Sequence, residues 1–194
     1  MTFTLTDEAS CEEEVRKSRF LALAAPVTSV EAAMAFIERV SVPTATHNCW
    51  AWKLGNQYRF NDDGEPGGTA GRPILAAIEG QECDQVVVVV IRWYGGIKLG
   101  TGGLVRAYGG CAARCLQQAD KQPLVIRESL GFSCTYAEWP LIKARLTTLE
   151  VVVLAEDYQA LEVALQIAVE PQRRDELATL LANVSSGRIV LRAI

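Results

Sequence analysis

Apolar residues recur at helical spacing in three stretches of the chain. Val30, Ala33, Met34, Ile37 and Val40 follow Thr28 and Glu31, which are spaced as a capping box. Leu104, Ala107, Tyr108, Cys111, Cys115 and Leu116 form one stripe, and Arg106 and Arg114 fall on another face. Leu177, Leu180, Leu181 and Val184 form the third, bounded by Pro171 and Gly187. A shorter apolar segment, Ile74 to Ile78, follows Pro73, a residue suited to a first helical turn. Strand patterning predicts extended segments at 20–27, 46–54, 85–92, 130–136, 150–156, 160–169 and 187–193. The run "VVVVVI", 86–91, is apolar throughout and predicts a central strand covered on both faces.

A shift near residue 128 divides the pattern. Most of the chain's 15 glycines lie between 64 and 110. Beyond 128 the elements read β-α-β-β-α-β, the ferredoxin-like arrangement. The expected architecture is therefore α+β in two domains, residues 1–127 and 128–194, joined through the "KQPLVIRE" stretch.

Composition adds bounds. With 194 residues, 49% hydrophobic and 22% charged, the chain can build a core without staples. A net charge of −4 rules out a polycation, so any nucleic-acid site must be a local basic patch. Between 66 and 127 the balance does reverse, and basic side chains outnumber acidic ones there. No apolar run is long enough to span a bilayer, and "FLALAAPV" reads as a strand, so a cytoplasmic location is expected. The six cysteines then stay reduced. They show no C-x-x-C pair, and His47 is the one histidine, so no zinc site and no multi-histidine metal site is expected.

The glycines and the basic residues coincide in two loops, "NDDGEPGGTAGRP" (61–73) and "RWYGGIKLGTGGLVRAYGG" (92–110). Each opens a predicted helix. A helix N-terminus offers unpaired N–H groups and partial positive charge, and glycine lets an anion approach them. The candidate anion or nucleic-acid contacts are Gly68, Thr69, Gly71 and Arg72 in the first loop. In the second they are Arg92, Lys98, Gly100, Thr101, Gly102 and Arg106. Together they predict a two-part cradle. Neither a Walker A loop nor a dinucleotide fingerprint fits the spacing. The competing account is that the glycine pairs exist for tight turns and close packing.

Other residues carry alternative readings. Asp62, Asp63 and Glu65 read as magnesium ligands, as turn formers, or as partners of neighbouring arginines that fold the loop over the site. His47 and Cys49 share a strand face and read as structural or ligand-lining groups, since a nucleophile pair needs a third, orienting group. Cys111 and Cys115, like Trp50 and Trp52, read as core. Trp93 and Tyr94 either stack on bases or cap the core. Lys17, Ser18, Arg19 and Phe20 either extend the basic surface or simply lead into a strand.

The motifs "KSRF" (17–20), "ATHNCWAW" (45–52), "DDGEPGGTAGRPIL" (62–75) and "RWYGGIKLGTGGLVRAY" (92–108) resemble the IMPACT family, including its bacterial YigZ-type members. The resemblance covers the first domain almost completely. It implies an N-terminal α/β sandwich similar to a ribosomal-protein domain 2, a domain shared with GHMP-type kinases. It also implies a ferredoxin-like second domain similar to one of elongation factor G. Eukaryotic relatives regulate translation as binding proteins, by engaging the activator of a stress-responsive kinase; bacteria lack that pathway. The resulting expectation is a non-enzymatic, translation-linked protein that contacts RNA, the ribosome or a protein partner, with no cofactor, no membrane and no DNA-specific motif. The alternative is an enzyme or sensor for a small phosphate ester, with a metal on the DDGE loop.

Overall fold

The computed structural model describes residues 2–194 and divides into two units, the first ending at Leu124 and the second running from Val125 to Ile194. In chain order the first unit contains β1 (Phe3–Leu5), β2 (Ala9–Val15), β3 (Ser18–Pro26), α1 (Val30–Val40), β4 (His47–Leu54), β5 (Gln57–Asn61), α2 (Gly71–Gly80), β6 (Val86–Trp93), α3 (Thr101–Gln118) and β7 (Lys121–Pro123). The second contains β8 (Glu128–Thr135), α4 (Trp139–Thr148), β9 (Val152–Tyr158), β10 (Glu162–Val169), α5 (Arg174–Ser185) and β11 (Arg192–Ala193).

A five-stranded antiparallel sheet, ordered β2-β3-β6-β4-β5, is the middle layer of the first unit. The apolar run of β6 explains its central place: Val86 to Ile91 are all wholly buried. Val87, Val89 and Ile91 face α1 together with Trp50 and Trp52, and Phe36 and Ile37 of α1 close over them. Val86, Val88 and Val90 face α2 and α3, where Ile74, Ile78, Leu104, Tyr108, Cys111 and Cys115 pack. One strand alternating between two cores has no solvent-facing side, which is why it carries no polar residue until Arg92. The α1 cap is Ser29, whose Oγ accepts from the Ala32 N–H at 3.1 Å, one residue after the Thr28 that spacing predicts.

The hairpin β2–β3 turns through Arg16 and Lys17, and its register pairs Val15 with Ser18. Strand β3 in turn pairs with β6, placing Phe20 opposite Arg92. These pairings bring the tip of the hairpin to the C-terminal end of β6, where the second glycine loop begins.

The second unit is a four-stranded antiparallel sheet, ordered β11-β8-β10-β9, covered on one face by α4 and α5. Leu130, Phe132, Val163, Leu165 and Ile167 alternate inward and meet Ile142, Leu146, Leu177 and Leu181. Strand order and connectivity are those of the ferredoxin-like motif. The last strand is shorter than its patterning predicts, covering Arg192–Ala193 only.

Candidate functional site

The first glycine loop closes on itself. Asp62 Oδ1 accepts from the N–H groups of Ala70 (3.0 Å) and Gly71 (2.8 Å), and its Oδ2 accepts from Gly68 N–H (2.8 Å). The start of α2 therefore already holds a negative charge, supplied eight and nine residues upstream. Thr69 is buried and donates its hydroxyl to the Pro66 carbonyl at 2.6 Å. Gly71 packs on the Asn61 backbone, where a Cβ would come within 2.7 Å of the carbonyl oxygen. This corrects the expectation of a two-part cradle. Gly68, Thr69 and Gly71 point their polar groups inward, because the carboxylate occupies the place foreseen for an external anion. Arg72 is exposed on α2, with no ion-pair partner among the described residues.

The same contacts bear on the metal-site reading of the DDGE loop. Asp63 Oδ2 accepts from Asn48 N–H, so both aspartate carboxylates cap backbone. Glu65 turns into the core. Its Oε1 accepts from Arg92 Nη1 and from the Tyr108 hydroxyl, each at 2.6 Å. Among the described residues no cluster of three or more His, Cys, Asp or Glu side chains is arranged to hold a metal.

The second loop is open. Helix α3 has Gly100 as its N-cap, at φ 72°, and no side chain caps it. Its first intrahelical bond runs from Leu104 N–H to the Gly100 carbonyl at 2.9 Å. The N–H groups of Thr101, Gly102 and Gly103 precede that bond and form the free, partially positive end of an 18-residue helix. This end borders a cavity of about 440 Å³ whose wall also includes Arg92, Lys98, Thr101, His47, Tyr94 and, from the first loop, Glu65 and Pro66. The two loops thus meet at one cavity, and one of them brings free amides to it.

Arg92 ties the cavity to the core. It is 5% exposed. Nη1 bonds Glu65, Nη2 contacts Ser18 Oγ at 3.4 Å, and Nε has no partner. Lys98 is exposed at the rim, without an ion-pair partner among the described residues. Arg106 does not join them. It lines a neighbouring cavity of about 490 Å³ with Glu13, Glu14 and Arg16. Leu99 borders both cavities.

His47 Nδ1 lies 2.7 Å from the Asp63 carbonyl. A carbonyl only accepts, so Nδ1 carries the proton and Nε2 faces Glu65 Oε1, 3.7 Å away. Cys49 donates to the Asp62 carbonyl at 3.0 Å, and burial pushes its thiol up to about 12. It stays a thiol at neutral pH and holds the loop in place. Burial likewise pushes the Tyr108 phenol up, keeping it a hydrogen-bond donor to Glu65. Trp93 is covered by the Arg19 guanidinium, 4.0 Å from its ring, whereas Tyr94 is exposed at the cavity mouth.

Glu65 takes the arginine-pairing role that its position in the acidic loop offered, and the Tyr108 hydroxyl is the site-building group that sequence patterning did not single out. The signal for that pairing was Arg92 itself. An arginine continuing a run of five valines and an isoleucine has buried neighbours, and a buried guanidinium requires an acid.

Comparison with known proteins agrees with this architecture. The family model for the Impact N-terminal domain matches residues 16–116, and that for a domain of unknown function, DUF1949, matches residues 132–188. The Escherichia coli protein "IMPACT family member YigZ" is 41% identical over 189 residues, covering 94% of this chain and 92% of its own length. A Thermus thermophilus protein, "IMPACT family member in pol 5'region", is 52% identical over 124 residues, covering 64% of this chain and 69% of its own. A crystal structure described as that of a hypothetical protein superposes with a TM-score of 0.72 at 39% identity, covering 100% of this chain and 97% of that one. With its N-terminal domain matched over the loops that build the cavity, the chain belongs to the IMPACT family.

Proposed function

We propose that the N-terminal domain is a binding module for a phosphate-bearing partner, RNA or the ribosome, in a cytoplasmic, translation-linked role. The contact is made at the open end of α3. The observation that carries this reading is the uncapped start of α3, where Gly100 and Thr101 line a cavity together with exposed Lys98 and buried Arg92. The start of α2 provides an internal comparison. The same kind of amide cluster there holds a carboxylate, so an anion is the ligand this geometry suits. Membership of the IMPACT family supports the link to translation.

Magnitudes favour a polymer over a lone phosphate. A helix end contributes about 0.3–1 kcal/mol to an exposed anion and up to ~2 when partly buried. With one cationic side chain added, a single phosphate is held at roughly millimolar strength, about −4 kcal/mol. Binding rather than turnover suits the side chains present. Cys49 is held as a thiol, and Asp62 and Asp63 cap backbone N–H groups.

The test is binding of a single-stranded oligoribonucleotide as a function of salt. Affinity should fall with a slope of about −0.7 per neutralised phosphate. Lys98→Ala should reduce that slope by about 0.7, and Arg72→Ala, at the closed helix end, should leave it unchanged. A slope near zero, or one indifferent to Lys98, refutes the reading.

A further inference from the structure

The turn between β2 and β3 is built from the wrong residues for its geometry. Arg16 has φ 47° and Lys17 has φ 66°. Val15 pairs with Ser18, so these two residues alone make the loop. Two-residue hairpin loops with both residues at positive φ favour Asn-Gly or Gly-Gly, because a side chain is strained there. Asp63, Glu82, Gln85, Glu150 and Ser186 also take positive φ, so what distinguishes this turn is the pair of long cationic side chains it presents.

The tip is fixed to the cavity. Ser18 is wholly buried, and its Oγ accepts from Gly95 N–H at 3.2 Å and contacts Arg92 Nη2 at 3.4 Å. Gly95 lies so close to the turn that a Cβ there would overlap the Lys17 carbonyl. The hairpin tip and the loop carrying Lys98 are therefore packed directly against each other. On the other side, Arg16 shares its cavity with Arg106 and with Gly103 of α3.

Arg19, Arg39, Lys53, Arg92 and Arg114 are each ion-paired. The side chains of Arg16, Lys17, Lys98 and Arg106 have no ion-pair or hydrogen-bond partner among the described residues; Arg16, Lys98 and Arg106 line the two cavities at the start of α3, and the Lys17 backbone packs on Gly95, while Arg59, Arg72, Arg127, Arg145 and Arg192 are unpaired elsewhere.

We propose that the Arg16–Lys17 tip is a second phosphate-contacting element, continuous with the α3 cavity, and that the ligand is an RNA strand contacted at several successive phosphates. This rests on the binding reading above and extends it: a small phosphate ester fills the cavity without reaching the tip, whereas a strand reaches both.

The test is the double variant Arg16→Asn/Lys17→Gly, which installs a favoured turn and removes both charges. It should fold with an unchanged or raised Tm. Its RNA affinity should fall about tenfold at 0.15 M salt, and its salt slope should shrink by about 1.4, two phosphates at ~0.7 each. Affinity and slope unchanged in this variant, with Lys98→Ala still weakening binding, overturns the role of the tip and leaves the cavity reading standing. Absence of salt-dependent binding by the unaltered protein overturns both. Displacement of the RNA by submillimolar mononucleotide overturns the assignment to a strand.

Discussion

Arg92 and Glu65 form a buried ion pair, Nη1 to Oε1 at 2.6 Å, with side chains 6% and 3% exposed. The pair joins the end of the central strand to the first glycine loop, and the Tyr108 hydroxyl bonds the same oxygen from α3. Three elements that wall the cavity thus share one carboxylate oxygen.

Removing that carboxylate should be costly. Glu65→Ala leaves the guanidinium buried without a counter-charge, a situation that typically costs about 3–5 kcal/mol. Glu65→Gln retains an acceptor for Tyr108 and should cost less. Urea unfolding followed through the fluorescence of Trp50 and Trp52 measures both. A loss below ~1 kcal/mol in Glu65→Ala would show that the pair does not organise the site.

Asp62 should behave as a helix cap. Asp62→Ala frees three N–H groups at the start of α2 and should destabilise the domain by about 2 kcal/mol, the upper range for loss of a capping residue. Asp62→Asn keeps one oxygen and should lose less. The effect should be the same with and without magnesium in a thermal melt. A magnesium-dependent difference between Asp62→Asn and the unaltered protein would restore the carboxylate as a metal ligand.

Asp62 also shows where sequence reading reached its limit. The strand β6, the apolar faces of α1 and α3 and the β-α-β-β-α-β order were legible because periodicity follows directly from burial. Both glycine loops were legible as helix starts. Nothing in "DDGEPGGTAG" reveals that its first residue folds back over the amides eight and nine positions later, since that contact depends on the turn through Asp63 and Gly64, both at positive φ. Nor does helical spacing place Arg106, one turn from Gly102, on the far side of Leu99 from Lys98. Hydrophobic pattern fixes which face is inside, but not which of two outer flanks a charge occupies. Tyr108 was read as part of an apolar stripe because its ring is one; its hydroxyl has a role only once Glu65 is beside it.

Thiol reactivity should follow burial. All six cysteines are free; Cys11 is half-exposed, and Cys49, Cys83, Cys111, Cys115 and Cys134 are buried. Burial pushes the thiols of Cys49, Cys111 and Cys115 up to about 12. At pH 8 an aromatic disulfide reagent should label one thiol quickly, and Cys11→Ser should abolish that phase. The others should react only on unfolding. Rapid labelling of Cys49 in the folded protein would show that the loop over it opens.

The C-terminal domain should carry an acid-sensitive contribution at Glu138. This carboxylate precedes α4. Its Oε2 accepts from Arg188 Nη2, from Thr135 N–H at 2.8 Å and from the Thr135 hydroxyl at 2.9 Å. The Arg188 hydrogen bond, followed by the Thr135 backbone bond, holds its pKa below the ordinary 4.5. The folded domain therefore binds this proton more weakly than the unfolded chain does. The stabilisation is fully present above about pH 4.5 and is lost as the pH falls through the folded value. Glu138→Gln should lower stability at pH 7 and flatten its decline below that pH, leaving the dependence due to Glu156, which Tyr158 and Lys143 also hold low. Urea midpoints of the domain between pH 3 and 7, read through Trp139, distinguish the two. A Glu138→Gln variant as acid-sensitive as the unaltered protein would place the acid response elsewhere in the domain.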